Sequence, residues 1–260
     1  MIMPDLAGQV AIVTGSSIGI GRGCAIELAR CGADVTVNYR SQKHEAEKTA
    51  QEIRALGRRA LIVQCDVSVR EQVQEMVDRT ANELGSVDIA VANAASGIRK
   101  PFLELEVKDV QDAWDTSLWG VFHICQIAAR QMVQQNRGGK LCVVSSVHSN
   151  MPFKQNVSYN TAKAGVNQMA ITIANELVEH RIHVNVLEPG WTDTPGERQH
   201  FTEKQIQEQG PKLPIGRIGT IEDMGKAVAF LCSDDADYIT GSVLRVDGGF
   251  SFPDWRIMRR

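Results

Sequence analysis

Short runs in which nearly every residue is apolar constrain this chain more than any other feature. They recur at Val10–Thr14, Val35–Asn38, Leu61–Gln64, Ile89–Ala92, Leu141–Ser145, Val184–Leu187 and Val243–Val246. A strand with one wet face alternates apolar and polar residues. Runs such as VAIVT and LCVVS do not, so both faces must be covered, as in a parallel sheet held between helices. Longer amphipathic stretches separate the runs: Arg22–Arg30, His44–Leu56, Arg70–Leu84, Asp109–Gln135, Ser158–Glu179 and Ile221–Ser233. In the third of these, Val73, Met76, Val77 and Ala81 fall at helical spacing. The fourth is expected to break near Ser117–Gly120. Strand–helix alternation on this scale predicts an α/β fold, a Rossmann-type doubly wound parallel sheet of about seven strands with right-handed crossovers. A length of 260 residues, 43% of them hydrophobic, suffices for one core, so a single domain over 1–260 is expected. Between Pro189 and Ile215 proline, glycine and charged residues interrupt the rhythm. A mobile substrate lid is expected around 190–215.

The first apolar run leads into Thr14-Gly15-Ser16-Ser17-Ile18-Gly19-Ile20-Gly21. Gly15 permits a tight turn, Gly19 lets a pyrophosphate approach the backbone, and Gly21 lets helix and strand pack closely. The helix that follows would meet the phosphates with unpaired N–H groups and its positive dipole end.

The spacing G-x3-G-x-G, in the form TGxxxGIG, resembles the short-chain dehydrogenase/reductase family. Further motifs follow in that family's order along nearly the whole chain: Asp66-Val67, Asn93-Ala94-Ala95, Ser146, Tyr159-x3-Lys163, Pro189-Gly190 and Thr194. The resemblance implies an NAD(P)-dependent dehydrogenase or reductase that moves a hydride between a nicotinamide and a carbonyl or alcohol carbon. It implies a cofactor site in which Gly15, Ser17, Ile18, Gly19, Ile20 and Gly21 meet the phosphates. Asp66 and Val67 would lie at the adenine, with Asn93, Ala94 and Ala95 along the cofactor. Tyr159, Lys163, Pro189, Gly190, Thr192 and Thr194 would lie toward the nicotinamide.

Hydride transfer at a carbon bearing oxygen requires a group that gives or takes a proton on that oxygen. Tyrosine is a poor base at neutral pH, with a reference pKa of about 10. Lys163 follows Tyr159 by four residues, so both project from one helix face. An ammonium ~5 Å from a phenolate, at an effective dielectric of ~20, favours the ionised form by about 3 kcal/mol. That is roughly two pK units. Ser146 ends the fifth strand at the edge where open parallel sheets bind ligands, and its hydroxyl is placed to bond the substrate oxygen. Ser145 is expected to point the other way. One position departs from the family's pattern. In Thr116-Ser117-Leu118-Trp119-Gly120-Val121-Phe122, Ser117 stands where the family has an asparagine. The resemblance gives that position a part in a proton relay behind the lysine, largely through its main-chain carbonyl, which serine keeps.

An acid at the end of the second strand would bind the adenosine ribose and repel a 2′-phosphate. Asn38, Tyr39, Arg40 and Ser41 stand there, and Arg40 with Ser41 suits a phosphate. NADP is expected as the preferred cofactor, with NAD possible.

The substrate is less constrained. Ser145–His148, Asn38–Ser41 and Val246–Gly249 resemble bacterial glucose 1-dehydrogenases, which oxidise the anomeric carbon of an aldose. Ser146, His148, Tyr159 and Trp191 are the candidate substrate residues. Arg99 and Lys100, in the loop Ser96–Pro101, depart from the sugar enzymes and suit an anion. A 3-oxoacyl-[acyl-carrier-protein] reductase is therefore the rival reading, and a non-catalytic dinucleotide sensor is the reading from another class. Glu188, an acid ending a buried strand, is expected at a surface rim.

A net charge of -3 offers no basic field for nucleic acid. No apolar stretch is long enough to span a membrane, and Met1–Gly8 does not read as a signal peptide. The six cysteines form no CxxC pair and show no metal-ligand spacing. Reduced thiols in a cytoplasmic, metal-free enzyme are expected. The resemblance adds a homotetramer packed through the helices of Asp109–Gln135 and Ser158–Glu179. The tail Phe250–Arg260 is expected to reach a neighbouring subunit.

Overall fold

In the computed structural model, which describes residues 4–253, the apolar runs form one seven-stranded sheet. The strands are β1 (Val10–Val13), β2 (Asp34–Tyr39), β3 (Ala60–Gln64), β4 (Ile89–Ala92), β5 (Gly139–Val144), β6 (Ile182–Pro189) and β7 (Val243–Val246). Their order is β3-β2-β1-β4-β5-β6-β7, and every neighbouring pair is parallel. The helices are α1 (Gly19–Arg30), α2 (Lys43–Ala55), α3 (Arg70–Leu84), α4 (Val107–Trp114), α5 (Gly120–Gln135), α6 (Val157–Leu177), α7 (Glu203–Gln209) and α8 (Ile221–Leu231).

β1 shows why its sequence had to be apolar throughout. Ala11 and Val13 pack into a core with Leu28, Val35 and Val228 on one face. Ile12 packs with Met76, Ile124 and Leu141 on the other. Alternate residues of a strand face opposite sides of a sheet, and here both sides are interior. The strand order reverses direction between β1 and β4, and in such sheets the crevice at the carboxyl ends of those strands takes the ligand.

The expected break in the fourth helical stretch is a π-helical turn, Asp115–Trp119, between α4 and α5. Such a turn widens the helix by one residue and re-aims its side chains. It leaves Ser117 fully buried toward the loop after β4. The segment after β6 carries a 3₁₀ turn at Glu197–Gln199 and the short helix α7, started by a capping box between Thr202 and Gln205. Arg198 braces it by bonding both Asp193 and Glu203.

All six cysteines are buried and unpaired. Among the described residues, no helix is long and apolar enough to cross a membrane, and no group of side chains is arranged to hold a metal ion. From Asp254 onward the tail lies outside the described residues.

Candidate active site

The phosphate loop is built from backbone constraints. Gly15 and Gly19 have φ of +62° and +59°, the left-handed region that favours glycine. A Cβ on Gly21 would collide with the Gly15 carbonyl and the Asn93 amide, so close packing requires glycine there. A Cβ on Gly19 would meet nothing nearer than Thr194, at 3.6 Å. The first turn of α1 has no capping side chain, because Ile18 precedes it. This uncapped helix start behind an open glycine fits a dinucleotide pyrophosphate.

Residues outside the glycine pattern hold the loop. The Asn38 Oδ1 accepts from the Gly15 N–H at 2.8 Å, and its Nδ2 donates to the Cys65 carbonyl at 3.0 Å. The Asn93 Nδ2 donates to the Thr14 carbonyl at 2.9 Å. The Thr14 hydroxyl accepts from the N–H groups of Asn93 and Ala94. Asn93 is thus spent on the loop's own backbone. The Ser16 hydroxyl adds a bond from the Asn38 N–H at 2.9 Å. Ser16 and Asn38 have no distinctive spacing, and their part emerges only from contacts between the loop and β2.

At the end of β2, Tyr39 turns into the core, whereas Arg40 and Ser41 remain exposed. The Asp66 carboxylate accepts from the N–H and hydroxyl of Ser68, which fixes the turn after β3. Val67 is buried against Gly120, and its carbonyl meets the His123 ring at 3.0 Å. On the other side of the crevice, Gly190 is required by the close approach of Asp247. Thr192 is buried, with its hydroxyl donating to the Gly190 carbonyl. Thr194 accepts from the Glu197 N–H and lies against Gly19, so lid and phosphate loop meet there.

Ser146, Tyr159 and Lys163 come together as the spacing predicts. Ser146 caps the 3₁₀ turn after β5, accepting from the His148 N–H at 3.2 Å, and its hydroxyl faces the Tyr159 phenol closely enough to favour the phenolate. Ser145 points elsewhere, to the Lys163 carbonyl. The Lys163 ammonium is 1% exposed, donates to the Val144 carbonyl at 2.7 Å and lies 5.5 Å from the Tyr159 ring centroid. The electrostatics differ from the sequence expectation. Burial pushes the Tyr159 phenol up to about 12, opposed by the Ser146 hydrogen bond and reinforced by Glu197. Burial pulls Lys163 down to about 8. In the protein alone, desolvation outweighs the mutual attraction that the spacing suggested.

Ser117 uses its side chain rather than its carbonyl alone: its hydroxyl donates to the Ser96 carbonyl at 2.6 Å and accepts from the Ser96 N–H at 2.8 Å. This holds the loop in which Gly97 lies flat on the Tyr159 ring, a Cβ there falling 3.1 Å from Cδ2. Arg99 and Lys100 are not free cations. Arg99 pairs with Glu197 at 3.7 Å and Lys100 with Asp109 at 2.7 Å.

His148 stacks on Phe153 with ring centroids 4.0 Å apart and sits edge-on to Tyr159 at 5.3 Å. Its Nδ1 lies 2.8 Å from the Asn160 Oδ1, and the Asn160 Nδ2 donates to the Phe153 carbonyl. That second bond fixes the amide, so His148 must donate from Nδ1 and carries its lone pair on Nε2. Burial holds the ring's pKa below its ordinary value. Trp191 packs on Phe201 and buries its indole N–H without an acceptor among the described residues. Glu188 does not lie at a surface rim: it is 0% exposed, because β7 and the turn after Ser146 close over it.

A family model described as Enoyl-(Acyl carrier protein) reductase matches residues 15–251. The chain is 36% identical over 248 residues to an L-rhamnose 1-dehydrogenase (NAD(P)(+)) of Sphingomonas sp. (strain SKA58), covering 95% of this chain and 98% of that one. It is 38% identical over 243 residues to a 3-oxoacyl-[acyl-carrier-protein] reductase of Staphylococcus epidermidis, covering 92% and 97%. Its structure superposes on that of a short-chain type dehydrogenase/reductase from Mycobacterium marinum with a TM-score of 0.90 and 35% identity, over 96% and 98% of the chains.

Proposed function

Since this chain belongs to the short-chain dehydrogenase/reductase family and is an NAD(P)-dependent oxidoreductase, we propose that it oxidises the C1 hydroxyl of an aldose. The observation that carries the substrate class is His148. A neutral imidazole with its tautomer fixed beside Tyr159 offers a lone pair to a hydroxyl donor, the group an aldose carries next to its anomeric carbon. The pairing of Arg99 with Glu197 and of Lys100 with Asp109 also supports a neutral substrate.

The chemistry assigned to each residue follows from its position. Ser146 orients the C1 oxygen, Tyr159 in its phenolate form takes its proton, and the carbonyl of a lactone forms as the C1 hydrogen departs with its electron pair. When bound, the nicotinamide supplies the acceptor for that hydride. Lys163 faces the phenol and has two protons beyond its bond to Val144 for ribose hydroxyls. The pyrophosphate would lie on Gly19 and the start of α1. Arg40 and Ser41, exposed where an acid would exclude a 2′-phosphate, support a preference for NADP with NAD accepted. Residues 190–215 act as the lid, with Trp191 lining the substrate side.

The 38% identity to the carrier-protein reductase keeps reduction of a 3-oxoacyl thioester as the second reading. A panel of aldoses, polyols and 3-oxoacyl thioesters, each with NADP(H) and NAD(H), separates the two. Aldose turnover above thioester turnover is expected, and the reverse sinks the sugar assignment. A cytoplasmic homotetramer packed through α4, α5 and α6 completes the proposal. Trp119, on the π-helical turn joining α4 to α5, and Ile171, on α6, present apolar surface there. A monomeric mass by light scattering would refute the assembly.

A further inference from the structure

Glu188 is the buried acid that the chemistry above leaves unused. A carboxylate with no exposure is tolerated only where donors replace its water. Four donors do so here. Its Oε1 accepts from the Ser149 hydroxyl, from the Asn150 Nδ2 at 2.8 Å and from the Asn167 Nδ2 at 2.7 Å. Its Oε2 accepts from the Arg245 Nε at 3.0 Å, across the β6–β7 pair in which the two residues are register partners.

These donors come from three separate places. Ser149 and Asn150 lie on the turn that Ser146 caps. Asn167 lies one helical turn beyond Lys163 on α6, on the same face. Arg245 lies on the edge strand and reaches on to the Ser251 hydroxyl at 3.1 Å. One oxygen therefore joins the serine's turn to the helix that carries the tyrosine and the lysine. Ser146 and Tyr159 sit on different elements, and this oxygen registers the turn after Ser146 to α6, alongside the Ser145–Lys163 and Lys163–Val144 bonds at the strand end and the His148 contacts.

We propose that Glu188 is a positioning residue for proton transfer: its carboxylate locks the Ser146–Asn150 turn to α6 and so sets the geometry between the Ser146 hydroxyl and the Tyr159 phenol. The proposal rests on the assignment of Ser146 and Tyr159 as the reacting pair. The Ser146 bond favours the phenolate, so loosening the turn raises the pH at which Tyr159 ionises. The other titratable or charged groups about the phenol are Lys163 on its own helix, His148 on the turn and Glu197 from the lid, with Arg99 beyond them. Arg245 is the charged group facing Glu188.

The test is Glu188→Gln, which keeps the shape and turns one acceptor into a donor among donors. Two readouts are taken on the NADP-loaded enzyme. One is kcat on the faster of D-glucose oxidation and acetoacetyl-thioester reduction. The other is the ultraviolet titration of tyrosinate, which needs no substrate, taken as the difference from the same variant carrying Tyr159→Phe. The expected result is a kcat about 10- to 100-fold lower, as for misplaced reacting groups. The cofactor KM should stay within about twofold, and the Tyr159 titration should move to higher pH. Arg245→Gln, which leaves the three Oε1 donors in place, should lower Tm yet keep kcat within about threefold. A purely structural role predicts otherwise. Glu188→Gln with a lower Tm but unchanged kcat per cofactor-binding site and an unmoved titration overturns the proposal. If Glu188→Gln does not fold, Asn150→Ala is read by the same two measurements, with the same two outcomes. An active Tyr159→Phe enzyme would instead overturn the underlying assignment of the reacting pair, a distinct result.

Discussion

The Lys163 ammonium stands over the face of the Tyr159 ring, 5.5 Å from its centroid, inside a site that disfavours charge on both. The lysine's drop from 10.5 to about 8 corresponds to about 3 kcal/mol against its charged form. Below pH 8 the folded protein bears that penalty. Between pH 8 and 10.5 the unfolded chain holds a proton here that the folded chain does not, so stability rises with pH through that window. Lys163→Met should therefore raise the Tm of the cofactor-free protein by about 5 °C at pH 7, with a gain that shrinks toward pH 10. Thermal melts at both pH values check this. A variant that melts below wild type at pH 7 would show that the bond to Val144 outweighs the buried charge.

Tyr159→Phe removes the proposed proton acceptor and leaves the ring that Gly97 and His148 pack against. Activity should fall about 10²- to 10⁴-fold, the range for losing a positioned acid–base group. The dissociation constant for NADP should stay within about twofold, as measured by nucleotide fluorescence. A loss of affinity as large as the loss of kcat would make the tyrosine a binding group rather than a base.

Gly19 and Gly21 sit two residues apart and should fail differently. Gly21→Ala drives a methyl into the Gly15 carbonyl and the Asn93 amide, so the expected result is a markedly lower Tm or no folded protein. At Gly19 an added Cβ has room, and its cost is the left-handed backbone, about 1–2 kcal/mol. Gly19→Ala should fold, melt slightly lower and bind dinucleotide at least about tenfold more weakly, because the methyl occupies the pyrophosphate's approach. Melting curves and nucleotide titration on both variants distinguish a packing glycine from a binding one.

The strand runs, the glycine loop and the Tyr159–Lys163 spacing were legible because each is a local pattern with a local cause. The features that position them are not local. Asn38 grips Gly15 across 23 residues, and Ser117 holds Ser96 across 21. Glu188 reads as a rim residue because its four donors come from distant segments. Arg99 and Lys100 read as free cations because their partners, Glu197 and Asp109, are identified by folding alone. The pKa expectation failed for a related reason: a spacing gives the distance between two charges but not the water they lose.

Arg40 tests the cofactor preference. It is exposed at the end of β2, with no ion pair among the described residues, beyond the Asn38 that anchors the phosphate loop. A charge-assisted bond to a 2′-phosphate contributes about 1.5–3 kcal/mol, so Arg40→Ala should raise the KM for NADP about 10- to 100-fold. The KM for NAD should stay within about twofold, because NAD lacks that phosphate. Initial rates at equal cofactor concentrations should favour NADP in the wild type and lose that bias in the variant. Equal effects on both cofactors would mean that Arg40 only supports the turn.

Ser117 decides how far the family's relay pattern extends to this chain. Its hydroxyl is committed at both ends to the Ser96 backbone, and Ser96 precedes the glycine that lies on Tyr159. An asparagine in that fully buried position is larger and must displace the Ser96–Gly97 loop. Ser117→Asn should thus lower kcat several-fold and reduce Tm, while Ser117→Ala, which orphans the Ser96 N–H and carbonyl, should cost about 1–3 kcal/mol of stability. If Ser117→Asn instead raised kcat by more than about tenfold, the serine would be an impairment of the relay. The loop contact with Ser96 would then be incidental to catalysis.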